Sequence, residues 1–434
     1  FRRGGDLLNR PPHEANVAEQ TEHSINGGGL KFDYFSPNEN HRFNVFASAQ
    51  HINRDSYYGP GDRDPLDAYG NTTDLNWMAG SQYVYSFGKC IFMPSDLTAG
   101  IEFNQDKLED NMWGYNRTVD QKVNIGSAFL QNEWKNDHWG FLIGGRLDKH
   151  NLIDHVIFSP RANLRYNPTE NINLRFSYSS GFRAPQAFDE DLHVENVGGN
   201  VAMVELADNL KEERSQSLSA SADIYHRFGA FQVNFLVEGF YTKLSDVFAL
   251  TDGEVVDGIL TRTRHNASGA QVLGLTLEGK MAYLNKIQVQ AGVTLQQSHY
   301  SKPHIWNKEA PAVKKMMRTP NTYGYFTATY TPIKPLSIAL SGTYTGSMLV
   351  PHEPVPGFLE KPITVNTKDF FDIGLKAAYD FKLYKSMNLQ VNAGIQNIFN
   401  AYQDDFDKGA DRDSGYIYGP SLPRSFFAGV KISY

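Results

Sequence analysis

Chemistry in this chain of 434 residues has to come from a few polar stretches. The richest is residues 186–214, which carry Phe188, Asp189, Glu190, Asp191, His193, Asn196 and the pair Gly198 and Gly199. Ring, carboxylate, imidazole and amide groups on one long connection can capture a ligand, because binding residues concentrate on loops held by a rigid scaffold. The same composition suits a plain solvated acidic loop. Two other stretches are dense in carboxylates: Asp62, Asp64 and Asp67, and then Asp404, Asp405, Asp407, Asp411 and Asp413. They offer calcium the oxygen ligands it takes, although their spacing is not that of the helix-flanked calcium loop. His193, His299, His304 and His352 could each give an axial nitrogen to a haem iron, but no pair of histidines has the spacing of a fixed metal site.

Other chemistry is excluded. A hydrolase would need a nucleophile with a neighbouring base, and there is no Gly-x-Ser-x-Gly turn. We therefore expect no enzyme and no covalent cofactor. The net charge of -7 gives no reason to expect nucleic-acid binding. Cys90 is the single cysteine, so no internal disulfide forms.

These stretches must be positioned by strands. No apolar run approaches the roughly 18 residues of a membrane helix, and bulk composition reads as soluble. The period says otherwise. Over 217–225, Leu218, Ala220, Ala222 and Ile224 alternate with Ser217, Ser219, Ser221 and Asp223, so the two sets lie on opposite faces of a strand. Phe231, Val233, Phe235 and Val237 repeat this against Gln232, Asn234 and Glu238, and Leu273, Leu275 and Leu277 against Thr276, Glu278 and Lys280.

Connections alternate too. Short turns are expected at 36–40, 136–138, 167–171, 229–230, 285–286 and 334–335, and long loops at 55–74, 186–214, 299–319 and 350–369. That asymmetry marks an outer-membrane barrel rather than a soluble sandwich. Aromatics gather where strands should leave the membrane: Tyr57, Tyr58, Tyr83, Tyr85, Phe176, Tyr178, Tyr323, Tyr325, Phe326 and Tyr330. The pattern predicts about 17 strands, the first near 14–34, with 1–12 as an outer loop. An odd count that begins outside implies a barrel whose first part, with anything that fills it, lies upstream.

The last residues, Gly419-Pro420-Ser421-Leu422-Pro423-Arg424-Ser425-Phe426-Phe427-Ala428-Gly429, run on to Val430, Ile432 and Tyr434. This string resembles the final strand and barrel-assembly signal of TonB-dependent outer-membrane receptors, with Phe426, Val430, Ile432 and Tyr434 facing outward. Phe182, Arg183, Ala184 and Pro185 resemble that family's Phe-Arg-Ala-Pro box, and Asn209 with Leu210 its later Asn-Leu box, here without the proline. Asn397-Ile398-Phe399-Asn400 resembles the penultimate-strand pattern. The likeness is greatest to Bacteroidetes receptors for cobalamin and haem. It implies an all-β transmembrane antiparallel barrel, with residues 1–434 as the C-terminal portion of the roughly 22-stranded wall and the plug domain absent from it. It also implies TonB-driven import of a metal chelate in the outer membrane, cobalamin first, with haem, a ferric siderophore or a passive porin as alternatives. Gln131, Glu133, Arg161, Asn163, Arg165, Arg175, Glu238 and Glu278 would then face the lumen and its plug. Partners would be the TonB complex through that plug, outer-membrane lipid, and a surface lipoprotein lid over the loops.

Overall fold

The computed structural model describes residues 2–4, 9–14, 18–59, 68–186, 201–256, 259–384, 386–408, 412–413, 415–420 and 422–434. Among them the chain forms one 19-stranded sheet, a three-stranded sheet and a two-stranded sheet. Two members of the large sheet, Arg2–Gly4 and Val313–Lys315, have 3 residues each. The remaining seventeen match the expected count. They follow one another as antiparallel neighbours from Ala18–Phe35 to Ser425–Ser433. Those two strands are the edges of the wall, and Arg2–Gly4 pairs with the first residues of Ala18–Phe35.

Pairing in register makes the two faces explicit, since directly opposed residues share a side. One continuous polar row runs from Arg165 through Arg175, Ser221, Glu238 and Thr276 to Thr294. It contains three of the residues expected to face the lumen, and Glu278 lies two positions along from Thr276 on the same side. The opposite face carries Leu218 at 40%, Phe235 at 47% and Leu275 at 38% exposure. Large apolar side chains bare on one face and polar side chains on the other are what hydrocarbon outside and water inside require. The C-terminal signal lies on the apolar face: Phe426, Val430 and Ile432 pair with Ile395, Val391 and Leu389 and are exposed.

The apolar face ends in an aromatic ladder at the short turns. Phe231 pairs with both Phe228 and Tyr283, the latter with rings 4.5 Å apart, and Trp139 stacks on Tyr166 at 4.2 Å. Several girdle expectations need correction. Tyr57 and Tyr58 are 3% and 1% exposed and pack inside the outer rim. Tyr323 and Tyr325 pair with Thr294 and Gly292, and the Tyr325 hydroxyl donates to Glu278, so both stand on the polar face. Phe326, one position on, faces outward with Ala291. Adjacent residues of a strand cannot share a side.

Boundaries shift as well. The first strand is Ala18–Phe35, preceded by a 3-10 turn at Pro12–Glu14. The expected loop at 55–74 is largely strand, because His41–Gly59 and Tyr69–Cys90 run on. Tyr69–Cys90 has 22 residues, about twice what the bilayer needs. The excess stands outside, so part of the rim is sheet rather than loop. Two connections on that side are short: Met93–Met112 and Arg117–Lys135 are joined by the 3-10 turn Trp113–Tyr115, and Trp139–His150 leads to Ile157–Thr169 through 151–156. The expected loops at 186–214, 299–319 and 350–369 each contain strand: Val201–Leu206, Val313–Lys315, and Ile363–Asn366.

Every buried apolar cluster among the described residues belongs to this outer rim. Tyr58, Met112 and Tyr115 pack with Met203; Tyr57 with Ala68 and Tyr69; Ile153, Ile157 and Ala184 with Phe182; and Met348, Val350 and Tyr416 with Val365 and Tyr418. Among the described residues the wall itself has no dry core. Its rigidity comes from the hydrogen-bonded ladder, and hydrophobic burial is spent on fixing the mouth.

Candidate substrate vestibule

Two long connections build the roof of the mouth together. Val201–Leu206 pairs in parallel with Ile259–Asn266, which pairs antiparallel with Phe248–Val256. The Phe-Arg-Ala-Pro box leads into this small sheet. Arg183 ends the strand Ile172–Arg183 opposite Glu213, with Nη1 3.9 Å from Glu213 Oε2. The other carboxylate oxygen of Glu213 accepts the Phe248 amide at 2.5 Å, and the Arg183 guanidinium stands 5.7 Å from the Phe248 ring. Phe182, on the other side, packs on Ile153, Ile157 and Ala184, and Pro185 is buried. The Asn209–Leu210 box borders the same sheet. Leu210 closes a turn on Ala207, and Ala207 donates to the Arg264 carbonyl at 3.0 Å. The two boxes thus anchor the roof at both ends of residues 184–212.

Below that roof lies a cavity of about 400 Å³, lined by Arg183, Arg262, Arg264, Tyr300, His304 and Trp306 among others. Three guanidiniums, the rings of Phe248, Tyr300 and Trp306, and one carboxylate, Glu353, share this lining, so cationic and π groups outnumber the acid. The Trp306 Nε1 is buried and has no hydrogen-bond acceptor among the described residues; a buried donor of that kind is suited to an acceptor brought by a ligand. His304 packs on Tyr300 with ring centroids 4.7 Å apart. It closes the strand Ile287–His304, beyond the apolar belt. Burial, helped by His265, holds its imidazole below the usual value of 6.5, favouring the neutral form.

Several carboxylates of the acidic run near the C-terminus bond to neighbouring connections. His352 Nε2 lies 2.9 Å from Asp407 Oδ2, and Tyr416 stacks on the His352 ring. Asp413 accepts from the Glu353 and Gly415 amides at 2.9 and 2.8 Å. Lys368 donates to Asp404 at 2.9 Å and holds that carboxyl below its usual range. Burial and Asp405, which accepts from the Tyr418 hydroxyl at 2.7 Å, push the Tyr418 phenol up. These ties fasten 397–424 onto 346–369. Arg318 adds a bond to the Ile417 carbonyl at 2.8 Å.

Several candidate residues fall outside the described residues: Phe188, Asp189, Asp191, His193 and Asn196, and the calcium candidates Asp62, Asp64 and Asp67. Among the described residues no group of three or more metal-ligating side chains comes together. Of the histidines considered for haem, His304 reaches the cavity, His352 is bound to Asp407, and His299 sits on the apolar face beside Lys315. Sequence reasoning missed Arg262, Arg264, Tyr300 and Trp306. The alternating Thr261-Arg262-Thr263-Arg264 was a usable signal, because period two puts both arginines on one face of a strand.

Comparison with known proteins gives the geometry a context. The family model "TonB dependent receptor-like, beta-barrel" matches residues 3–398. Among solved structures, the chain is similar to the siderophore receptor PirA from Acinetobacter baumannii, with TM-score 0.68, 15% identity, and coverage of 96% of this chain and 62% of that one. It is similar to the ferric-catecholate import receptor Fiu from K12 E. coli, with TM-score 0.68, 14% identity, and coverage of 96% and 64%. It is also similar to the outer membrane transporter YddB from Escherichia coli, with TM-score 0.70, 10% identity, and coverage of 96% and 63%. At such identities the likeness is one of fold. The chain spans less than two thirds of each of these proteins. No curated protein sequence matches it. The family and the matched structures are receptors and transporters of the outer membrane, not enzymes.

Proposed function

Because this chain belongs to the TonB-dependent receptor β-barrel family, we propose that it forms the wall and outer vestibule of a receptor that imports a ferric siderophore. The observation that carries this reading is the cavity where Arg183, Arg262 and Arg264 meet Tyr300 and Trp306. Guanidiniums and ring faces complement an anionic chelate with aromatic arms. A corrin with neutral amide arms makes less use of them. The solved proteins of like fold include receptors named for siderophores and ferric catecholates. Cobalamin, favoured by the resemblance of the Phe-Arg-Ala-Pro region, ranks second, and haem through His304 third.

In this reading a plug fills the barrel and the TonB complex acts on it. The polar row through Arg175, Ser221 and Glu238 supplies the hydrogen-bonding surface for the plug. Energy coupling enters through the plug, while the residues described here select and orient the cargo. The test is a titration of the purified receptor, followed by Trp fluorescence, with a ferric tricatecholate, cyanocobalamin and haemin. The ferric chelate should quench with the lowest Kd. Saturable binding of cyanocobalamin without binding of the ferric chelate would overturn the assignment.

A further inference from the structure

Direct cross-strand pairing sets Gln216, Lys243, Gln271, His299 and Lys315 side by side on successive strands. The next residues on the same face toward the short turns are Leu218, Tyr241, Leu273 and Gln297, so the row lies on the lipid-facing side. Tyr241 ties belt to row, its hydroxyl donating to Gln271 Oε1 at 3.3 Å. Lys243 stands near the outer end of Phe231–Ser245. At about 3.3 Å per residue and about 40° of tilt, it lies about 30 Å above Phe231, just past an apolar band of about 25 Å. The tilt carries the row obliquely outward from there.

No carboxylate stands in this row or in the belt beneath it. Glu212, two residues before Arg214 at the outer end of the neighbouring strand, is buried and held by Arg214 at 2.7 Å and His155 at 2.9 Å. A second outward cationic pair behaves differently: Lys107 faces Lys122, but Lys107 is bound by Glu109 at 2.5 Å, and Asp120 pairs with Glu109. Lys243 and Lys315 have no described acidic partner.

We propose that this row binds the phosphorylated headgroup of an outer-leaflet lipid, whose acyl chains lie on Leu218, Leu273 and Leu295 below. Two ammonium groups, about 14 Å apart at their Cα atoms across three strand spacings, flank amide and imidazole donors. Phosphate oxygens accept charge-assisted bonds from such a set, and each lysine near a charged lipid surface adds attraction that a neutral headgroup does not return. The inference needs the outer-membrane location and not the identity of the cargo.

Native mass spectrometry tests it on the receptor extracted from outer membranes into mild detergent. The detergent is doped with a phosphorylated glucosamine lipid, or with the same lipid after phosphatase treatment. The wild type should retain the phosphorylated lipid. The Lys243→Gln, Lys315→Gln double variant should retain at least about tenfold less, and Lys107→Gln should match the wild type. The unboiled band on gel electrophoresis checks that each variant is folded. Equal retention by the double variant, equal retention of the dephosphorylated lipid, an equal loss in Lys107→Gln, or displacement by inorganic phosphate would each overturn the proposal.

Discussion

Tyr416 lies flat on His352, with ring centroids 3.8 Å apart and planes 6° from parallel, while His352 Nε2 meets Asp407 Oδ2 on its edge. Stack and hydrogen bond together make the fastening between the last two long connections. Both polar partners are almost wholly buried, with side chains 7% and 6% exposed.

Asp407→Asn should therefore loosen this fastening without disturbing the wall. Losing a buried charge-assisted bond costs about 1.5–3 kcal/mol. Limited proteolysis should cut within 397–424 faster, while the unboiled gel band stays in place. An unchanged cleavage rate would mean that the remaining ties, such as Arg318 to the Ile417 carbonyl, hold the loop alone.

Asp110 is 0% exposed and accepts from Thr72 at 2.5 Å, with Arg54 at 3.6 Å and Arg117 bound to its other oxygen. Asp110→Ala removes the buried carboxylate that the Arg54 and Arg117 side chains share. The expected loss is about 3–5 kcal/mol, read as a lower urea midpoint for the outer rim. A variant of wild-type stability would show that the shared carboxylate does not hold the rim together.

Trp306→Phe keeps a ring in the cavity and removes an Nε1 donor that has no acceptor among the described residues. If that donor serves the cargo, affinity for the ferric chelate falls by about 1 kcal/mol, roughly fivefold. Trp306→Ala should lose more, since the stacking surface goes too. Identical titration curves for Trp306→Phe and wild type would remove the N–H from the binding surface.

His304 makes the vestibule acid-sensitive. Its folded pKa lies below the ordinary 6.5 because burial disfavours the charged ring. Below 6.5 the unfolded chain therefore binds a proton that the folded chain resists, and stability falls as the pH drops until the folded pKa is passed. Above 6.5 the group is neutral in both states and contributes no slope. Urea midpoints at pH 7.5 and 5 should differ more for the wild type than for His304→Gln. Equal differences would assign the pH dependence to other groups.

The sequence by itself determined the wall. Which residues of 217–225, 231–238 and 271–281 meet lipid follows from a period of two, a local property that any single strand displays. Leu218, Phe235 and Leu275 are bare on the apolar face as that period requires. The number of long strands was legible for the same reason, as were the tight turns at 36–40 and 229–230, the second with Gly229 at φ 58. What only the tertiary structure decided is the mouth. Strand ends such as 55–59 and 69–74 look like loop because Asp, Asn, Thr and Gly dominate them, yet the ladder continues through them and buries Ser56, Tyr57, Tyr58 and Thr72 in the rim. Arg183, Arg264 and the pair His304 and Trp306 come from three separate segments and meet only in the folded chain. Contacts between distant loops leave no periodic trace, so the sequence did not show that Asp407, Asp413 and Asp404 bond to His352, Glu353 and Lys368.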